Sequence, residues 1–198
     1  NYTITVGAGG SGGAPSTKGS NGNDSSVSGP GITTITSTAG GASGSGNNPG
    51  TNRDGNPGGS GGGGGASDTG VATGGSGTAN QGFAGANAGP AAVGPAGSGG
   101  GAGSAGITST NPLSPTAGGS GLTSSITGSP VTRGAGGRII GYNIPGCNAT
   151  SNTGNGADGN DLATSTPGYN GGSGVIVIRQ VCASPTYQVA SGVWSIND

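Results

Sequence analysis

Between positions 94 and 106 the chain reads GPAGSGGGAGSAG, with glycine at Gly94, Gly97, Gly100, Gly103 and Gly106, every third residue without a break. A period of three is neither the 3.6-residue period of an α-helix nor the two-residue period of a strand. It is the period of the extended polyproline II helix, which turns once in three residues, rises about 3.1 Å per residue and makes no internal hydrogen bonds. The N–H and C=O groups of such a helix point sideways, and where they are buried they need partners on another segment. Glycine along one edge lets that segment come close enough to supply them. The same frame holds Gly7, Gly10, Gly13, Gly19 and Gly22, then Gly55, Gly58, Gly61 and Gly64, and from 55 to 106 it carries only small residues. The repeat is interrupted too often for a collagen triple helix, which needs an unbroken Gly-X-Y register.

Composition narrows the reading further. Glycine makes 53 of the 198 residues, and Leu, Ile, Val and Phe together make 25. That is below the roughly 20% needed for a conventional core. Disorder usually pairs such poverty with high net charge, yet here the formal net charge is −1. A neutral chain that cannot bury much apolar surface must rest largely on backbone hydrogen bonds. The weak charge also argues against nucleic acid, which calls for clustered Lys and Arg. No apolar run is long enough to insert in a membrane as a helix.

Turn-forming stretches rich in Asn, Pro and Gly separate the glycine runs: 20–28, 46–58, 109–117 and 142–156. Antiparallel packing of the passes between them predicts a bundle of polyglycine or polyproline II helices with almost no α-helix. The ends differ from the middle. YTITV (Tyr2–Val6) and VIVIR (Val175–Arg179) are β-branched and read as strands. Side by side they would clamp the termini of the bundle, with Ile139, Ile140 and Ile144 joining the apolar patch. This organisation predicts a glycine-rich domain over 1–182 and an extension or a following segment over 183–198.

YTITVGAGGSGG opening the glycine-rich stretch and GGSGVIVIR closing it resemble the glycine-rich domain of phage tail fibres and tail-tip adhesins. The terminal SGVWSIND looks like the short Trp motif that follows this domain in tail proteins of marine phages. The resemblance implies a sandwich of polyglycine II helices on the virion surface, outside the cell. It implies as partners a host outer-membrane protein or glycan and other fibre subunits, in a homotrimer as one arrangement. Relatives bind through aromatic-rich loops. Here the aromatic residues of the bundle region are Phe83, Tyr142 and Tyr169.

Among shorter motifs, GAGGSG (Gly7–Gly12) matches a dinucleotide fingerprint, but the following GAPSTKGSNGNDSS will not form the required helix. No cofactor is expected. NGADGNDLAT resembles one turn of a calcium-binding repeat, with Asp158, Asn160 and Asp161 as oxygen ligands, though such repeats work in stacked arrays. A short polar turn is the simpler account of it. Cys147 and Cys182 are the two cysteines; in an external protein they form a disulfide or stay as separate buried thiols. Three Asn-X-Ser/Thr sequons are at the chance level for so Asn- and Thr-rich a chain. The chain contains no His and no Glu, which removes the usual nucleophile–base pairs, and the reading is non-enzymatic. The expected receptor-binding surface is the turns that carry Asn52, Arg53, Asp54, Phe83, Tyr142 and Asn143, the few long, charged or aromatic side chains in turn contexts. Two rival classes are a purely structural fibre or filament subunit, and an ice-binding protein with flat Thr, Ala and Ser faces.

Overall fold

The computed structural model describes residues 1–46, 51–66, 70–89, 96–111, 113–141, 144–159 and 167–180. Among them there is no α-helix. One 3-10 turn, Thr51–Arg53, and five short strands make up the regular structure: β1 Thr3–Thr5, β2 Ser25–Gly29, β3 Ile32–Ser37, β4 Leu122–Ser124 and β5 Val131–Arg133. All pairings between these strands are antiparallel, in a three-stranded sheet ordered β1-β2-β3 and a two-stranded β4-β5 hairpin. Gly31, at φ 77°, closes the tight β2-β3 turn after Pro30 in a region that disfavours other residues.

The terminal clamp is corrected in its details. Tyr2–Val6 contains β1 as expected, but Val175–Arg179 is not a strand. Ile4 pairs with Val27 of β2 instead. The reason is local. The run 7–13 turns at Ala14–Thr17 and returns as 18–23, bonded Ser20 N–H to Ser11 C=O and Asn23 N–H to Ala8 C=O. The next residues, Ser25–Gly29, therefore already lie beside Thr3–Thr5, and a nearby partner closes a shorter loop than a distant one. The stretch 20–28, expected to be a turn, is thus a run followed by a strand. The termini still meet, through glycine rather than β-branched residues: Gly168, Gly171 and Gly174 donate to Gly13, Gly10 and Gly7 at 2.8, 2.9 and 3.0 Å.

Most of the described chain is irregular by hydrogen-bond pattern yet heavily bonded from backbone to backbone. Donors step by three along each seam. Gly61 and Gly64 donate to Phe83 and Ala86, Gly62 and Gly65 to Asn56 and Arg53, and Gly100 and Gly97 to Gly61 and Gly64. Directions are mixed rather than uniformly antiparallel. Gly41 and Gly44 donate to Ser60 and Gly63 in parallel, and Gly58 bridges Gly77 in parallel. A run without side chains offers bonding groups on every edge, so either direction is satisfied. Residues 96–106 also differ from a single straight pass. They reverse at Ala102–Ser104, with Gly101 N–H bonded to Ser104 C=O and Gly97 bridged antiparallel to Thr108.

Burial follows the glycines. Residues 61–66, GGGGGA, form a continuous buried run. A Cβ built on Gly61, Gly62 or Gly63 would fall on the carbonyl of Gly75, Ala42 or Gly97 respectively. Buried apolar side chains among the described residues are Ala66, Ala72, Ala88 and Ile140. Ile140 is far from the β-branched end, so the expected apolar clamp is not a core. Where a run lacks a neighbouring carbonyl, an amide side chain takes its place. Asn21, Asn87, Asn155 and Asn170 accept through Oδ1 from the N–H groups of Ala42, Gly74, Ala135 and Gly12, at 2.8–2.9 Å. These asparagines belong to the edges of the runs and not only to the turns.

Candidate binding surface

The Asn52–Asp54 turn is held by its backbone and by the Asp54 carboxylate. Asn52 is exposed. Its C=O accepts from Ser45 N–H at 2.9 Å, and Arg53 C=O accepts from Gly65 N–H at 2.8 Å. Asp54 Oδ1 accepts from Thr73 N–H at 2.7 Å. That bond chiefly holds the Asp54 carboxyl below its ordinary value, helped by the Lys18 and Arg53 charges against a small desolvation cost. Lys18 Nζ itself donates to Asn56 Oδ1 at 2.7 Å, and Asn56 Nδ2 donates to Asn21 Oδ1 at 2.8 Å.

Phe83 is about half exposed, at 48%. Its N–H donates to Gly101 C=O and its C=O accepts from Gly61 N–H. Along the buried 61–65 run, Phe83 is level with Gly61 and Arg53 with Gly65, which puts roughly 12 Å of extended chain between them. The structure therefore does not bring Phe83 and the Asn52–Asp54 turn into one site. Tyr142 and Asn143 lie outside the described residues. Of the in-frame glycines, Gly97, Gly100 and Gly106 press against the carbonyls of Ala86, Phe83 and Ser98, and Gly103 lies in the reversal against Gly121 and Ser120. Gly94 lies outside the described residues.

A second surface was not anticipated. Bonds from Gly174 to Gly7, Gly154 to Ser173, Gly134 to Thr153 and Ala102 to Gly134 place these residues at one end of the molecule. That end carries the three-stranded sheet and the β4-β5 hairpin, and its apolar side chains face outward: Ile4 51%, Ile35 67%, Leu122 63% and Ile178 65% exposed. The signal was present in the sequence as β-branched runs, but alternation implies one buried face, and here neither face of β3 is buried.

At the opposite end, Arg138 grips Asp158 through two bonds, Nε to Oδ1 at 2.8 Å and Nη2 to Oδ2 at 3.0 Å. Cys147 donates its N–H and its thiol to the same Oδ2, at 3.0 and 3.2 Å. Burial pushes the Asp158 carboxyl up, but Arg138 and the two Cys147 donors outweigh it and hold the group below its ordinary value. The hydrogen bond to Asp158 raises the exposed Cys147 thiol and makes it less reactive. Both oxygens of the calcium candidate Asp158 are thus engaged by donors, one of them a guanidinium. Asn160 and Asp161 lie outside the described residues, as does Cys182. Among the described residues no group of three or more His, Cys, Asp or Glu side chains is placed to hold a metal ion.

The two depressed carboxyls set a pH dependence. A carboxyl with a lowered folded pKa contributes stability above its unfolded value and loses it as pH falls through the folded one. Melting temperature is therefore expected to fall by a few degrees between pH 5 and pH 2, more than in an Asp54→Asn/Asp158→Asn double variant. The effect is modest because the Arg138 side chain is 49% exposed. Parallel pH profiles for the two proteins would remove both carboxylates from the account of stability.

This geometry defines a class: a side-chain-poor domain held by backbone bonds, with its longer side chains on the outside. The glycine-rich domain family matches residues 1–180, and the chain belongs to that family. No curated protein and no solved structure matches the chain.

Proposed function

We propose that the runs are polyglycine II helices and that the domain is a non-enzymatic display module of a phage tail fibre or adhesin, binding a host surface protein or glycan through its turns. One observation carries the reading. The runs bond to each other through donors spaced three apart and leave no room for side chains between them, so chemistry is confined to the turns and ends. Such a scaffold suits presentation outside a cell, where stiffness and small size of the repeating unit matter more than a cavity for catalysis. The sequence resemblance to tail-fibre glycine-rich domains supports the same assignment.

The test is attachment. Arg53→Ala and Phe83→Ala are expected to weaken binding of the purified protein to susceptible cells several-fold. Phe83→Ala should melt within about 0.5 kcal/mol of the parent, since Phe83 is about half exposed, whereas Arg53→Ala should melt lower, since the Arg53 side chain is partly buried. Undiminished binding by both variants would remove these turns from the adhesive surface.

The exposed apolar end favours a second reading, a structural fibre subunit. Ile4, Ile35, Leu122 and Ile178 would then be covered by other copies in the shaft. Electron microscopy separates the two, because an adhesin sits at the fibre tip and a structural subunit within the shaft.

A further inference from the structure

Lys18 is the chain's one lysine, and its amine meets a side-chain amide. Lys18 Nζ donates to Asn56 Oδ1 at 2.7 Å, so the nitrogen needs only to pivot from that oxygen to the carbon bonded to it, about 1.2 Å away. The amide is gripped from its other end as well. Asn56 Nδ2 donates to Asn21 Oδ1 at 2.8 Å. Asn21 is itself fixed, its Oδ1 by Ala42 N–H at 2.9 Å and its Nδ2 by Pro57 C=O at 3.2 Å.

The two side chains rise from different runs, and both runs are tied by their backbones to run 38–45. Gly22 N–H donates to Gly40 C=O, and Asn56 N–H donates to Ala42 C=O. Lys18 and Asn56 are both half-buried. The fold thus holds an amine and a carbonyl carbon side by side, and such positioning acts like a concentration of about 10⁵–10⁸ M.

The neighbouring residues suit a reaction between them. A side-chain amide is lost most easily where the nitrogen of the next residue attacks it, as in Asn-Gly. Asn56 precedes Pro57, whose nitrogen carries no hydrogen, so the following backbone offers no such attack and the amide is left for Lys18. Asp54 stands two residues before Asn56. Its Oδ1 accepts from Thr73 N–H at 2.7 Å, and its carboxylate feels the Lys18 charge. A carboxylate beside an amine can relay protons between the attacking and the leaving nitrogen.

We propose that Lys18 and Asn56 join in an isopeptide bond, a covalent staple between two runs. Lys18 Nζ gives a proton to the Asp54 carboxylate, and its lone pair adds to Asn56 Cγ while the C=O π pair moves onto Oδ1. Nδ2 takes the proton back from Asp54, the Cγ–Nδ2 bond breaks as the C=O reforms, and ammonia leaves. The second Nζ proton passes to water. Nothing is oxidised or reduced, and the product is a secondary amide.

The experiment is mass spectrometry of the whole protein after incubation at mildly alkaline pH, where more of an amine is neutral. The parent should weigh one ammonia less than its sequence. A succinimide at an Asn-Gly step loses the same mass, so a trypsin map decides. Cleavage after Lys18 should be blocked, and fragments 1–53 and 54–133 should be recovered as one branched species. Lys18→Arg keeps the charge and a donor without the attacking amine, and Asn56→Ala removes the carbonyl. Both should keep their full mass and yield no branched species. Lys18→Arg should melt roughly 8–15 °C below the linked parent, because a link closing a loop of this length constrains the unfolded chain. Asp54→Asn, whose amide still accepts from Thr73 N–H, should be recovered largely unlinked. A parent of full mass that trypsin cleaves after Lys18 overturns the inference, as does a branched species that survives in Asn56→Ala. A fully linked Asp54→Asn protein overturns the carboxylate's part in the step. Each of these readouts is independent of attachment to a host cell, so the staple and the display function stand or fall separately.

Discussion

A Gly62→Val protein is expected to melt at least about 10 °C below the parent. Gly62 sits in the buried glycine run, where its N–H donates to Asn56 at 3.0 Å and its C=O accepts from Gly75 at 2.8 Å. A Cβ at this position falls on the carbonyl of Ala42, in a third run. Valine must therefore push one run away from its neighbours, and the seams on either side of the displaced run open together. Each buried group left without a partner costs roughly 1–3 kcal/mol, against a total stability of about 5–15 kcal/mol. For a chain of this length each kcal/mol is worth roughly 2–4 °C. Gly40→Ala is the control, because a Cβ at Gly40 meets nothing within 4 Å. Its melting should match the parent's or rise slightly, since alanine restricts the unfolded chain more than glycine. Thermal melts of the two variants that fall together would show that glycine is there for composition and not for contact.

The contrast between these positions marks how far the sequence could be read. The glycine richness was legible, but the three-residue frame does not single out the close contacts: Gly61, Gly64, Gly97 and Gly100 fall in it and press against a neighbouring carbonyl, and so do Gly62, Gly63 and Gly65 outside it. Which run each one meets was not legible. Partner choice in helices and sheets is written in side-chain patterns, and a run such as GGGGG has none. For the same reason nothing in GPAGSGGGAGSAG foretold the reversal at Ala102–Ser104, since glycine permits a turn as readily as a straight pass. The strand pairing failed differently. VIVIR has strong β-propensity, but the hairpin built from Ser25–Gly29 and Ile32–Ser37 pairs with one edge of Thr3–Thr5, and VIVIR forms no ladder on the other. The asparagines were read as turn residues because they cluster with Pro and Gly. Their second role, supplying a carbonyl at the edge of a run, depends on which run is missing a neighbour. The candidate site divides along the same line. A turn at Asn52–Asp54 could be foreseen from its residues, whereas its separation from Phe83 depends on the order of packing.

The Gly9→Val/Gly12→Val double variant is expected to unfasten the two ends of the domain while its centre stays folded. Cβ atoms at Gly9 and Gly12 fall on the carbonyls of Gly171 and Gly168, so both side chains wedge open the seam between runs 7–13 and 168–174. The Gly168, Gly171 and Gly174 donors then lose Gly13, Gly10 and Gly7. Asn170 Oδ1 also loses its bond from Gly12 N–H, at 2.8 Å. Run 60–66 has no bond to either of these runs. Its neighbours are 38–45, 53–56, 82–88 and 96–101 among others, and all of those contacts survive the change. Domains of this kind open in units whose local stability follows their local bonding. Hydrogen exchange should therefore become fast across 7–13 and 168–174, by tenfold for each 1.4 kcal/mol of local stability lost, with little change at Gly62–Gly65. The seam closes a loop that spans nearly the whole domain, and the entropy of closing a loop grows slowly with its length. Once opened, it has no local contact to reform through, so the loss should persist at every temperature below the main transition. Unchanged exchange at Gly171 and Gly174 would show that the ends are held by something other than these glycine contacts. Fast exchange spreading to Gly62–Gly65 would show that the runs fold as one cooperative unit, with the terminal seam as necessary to it as the buried centre.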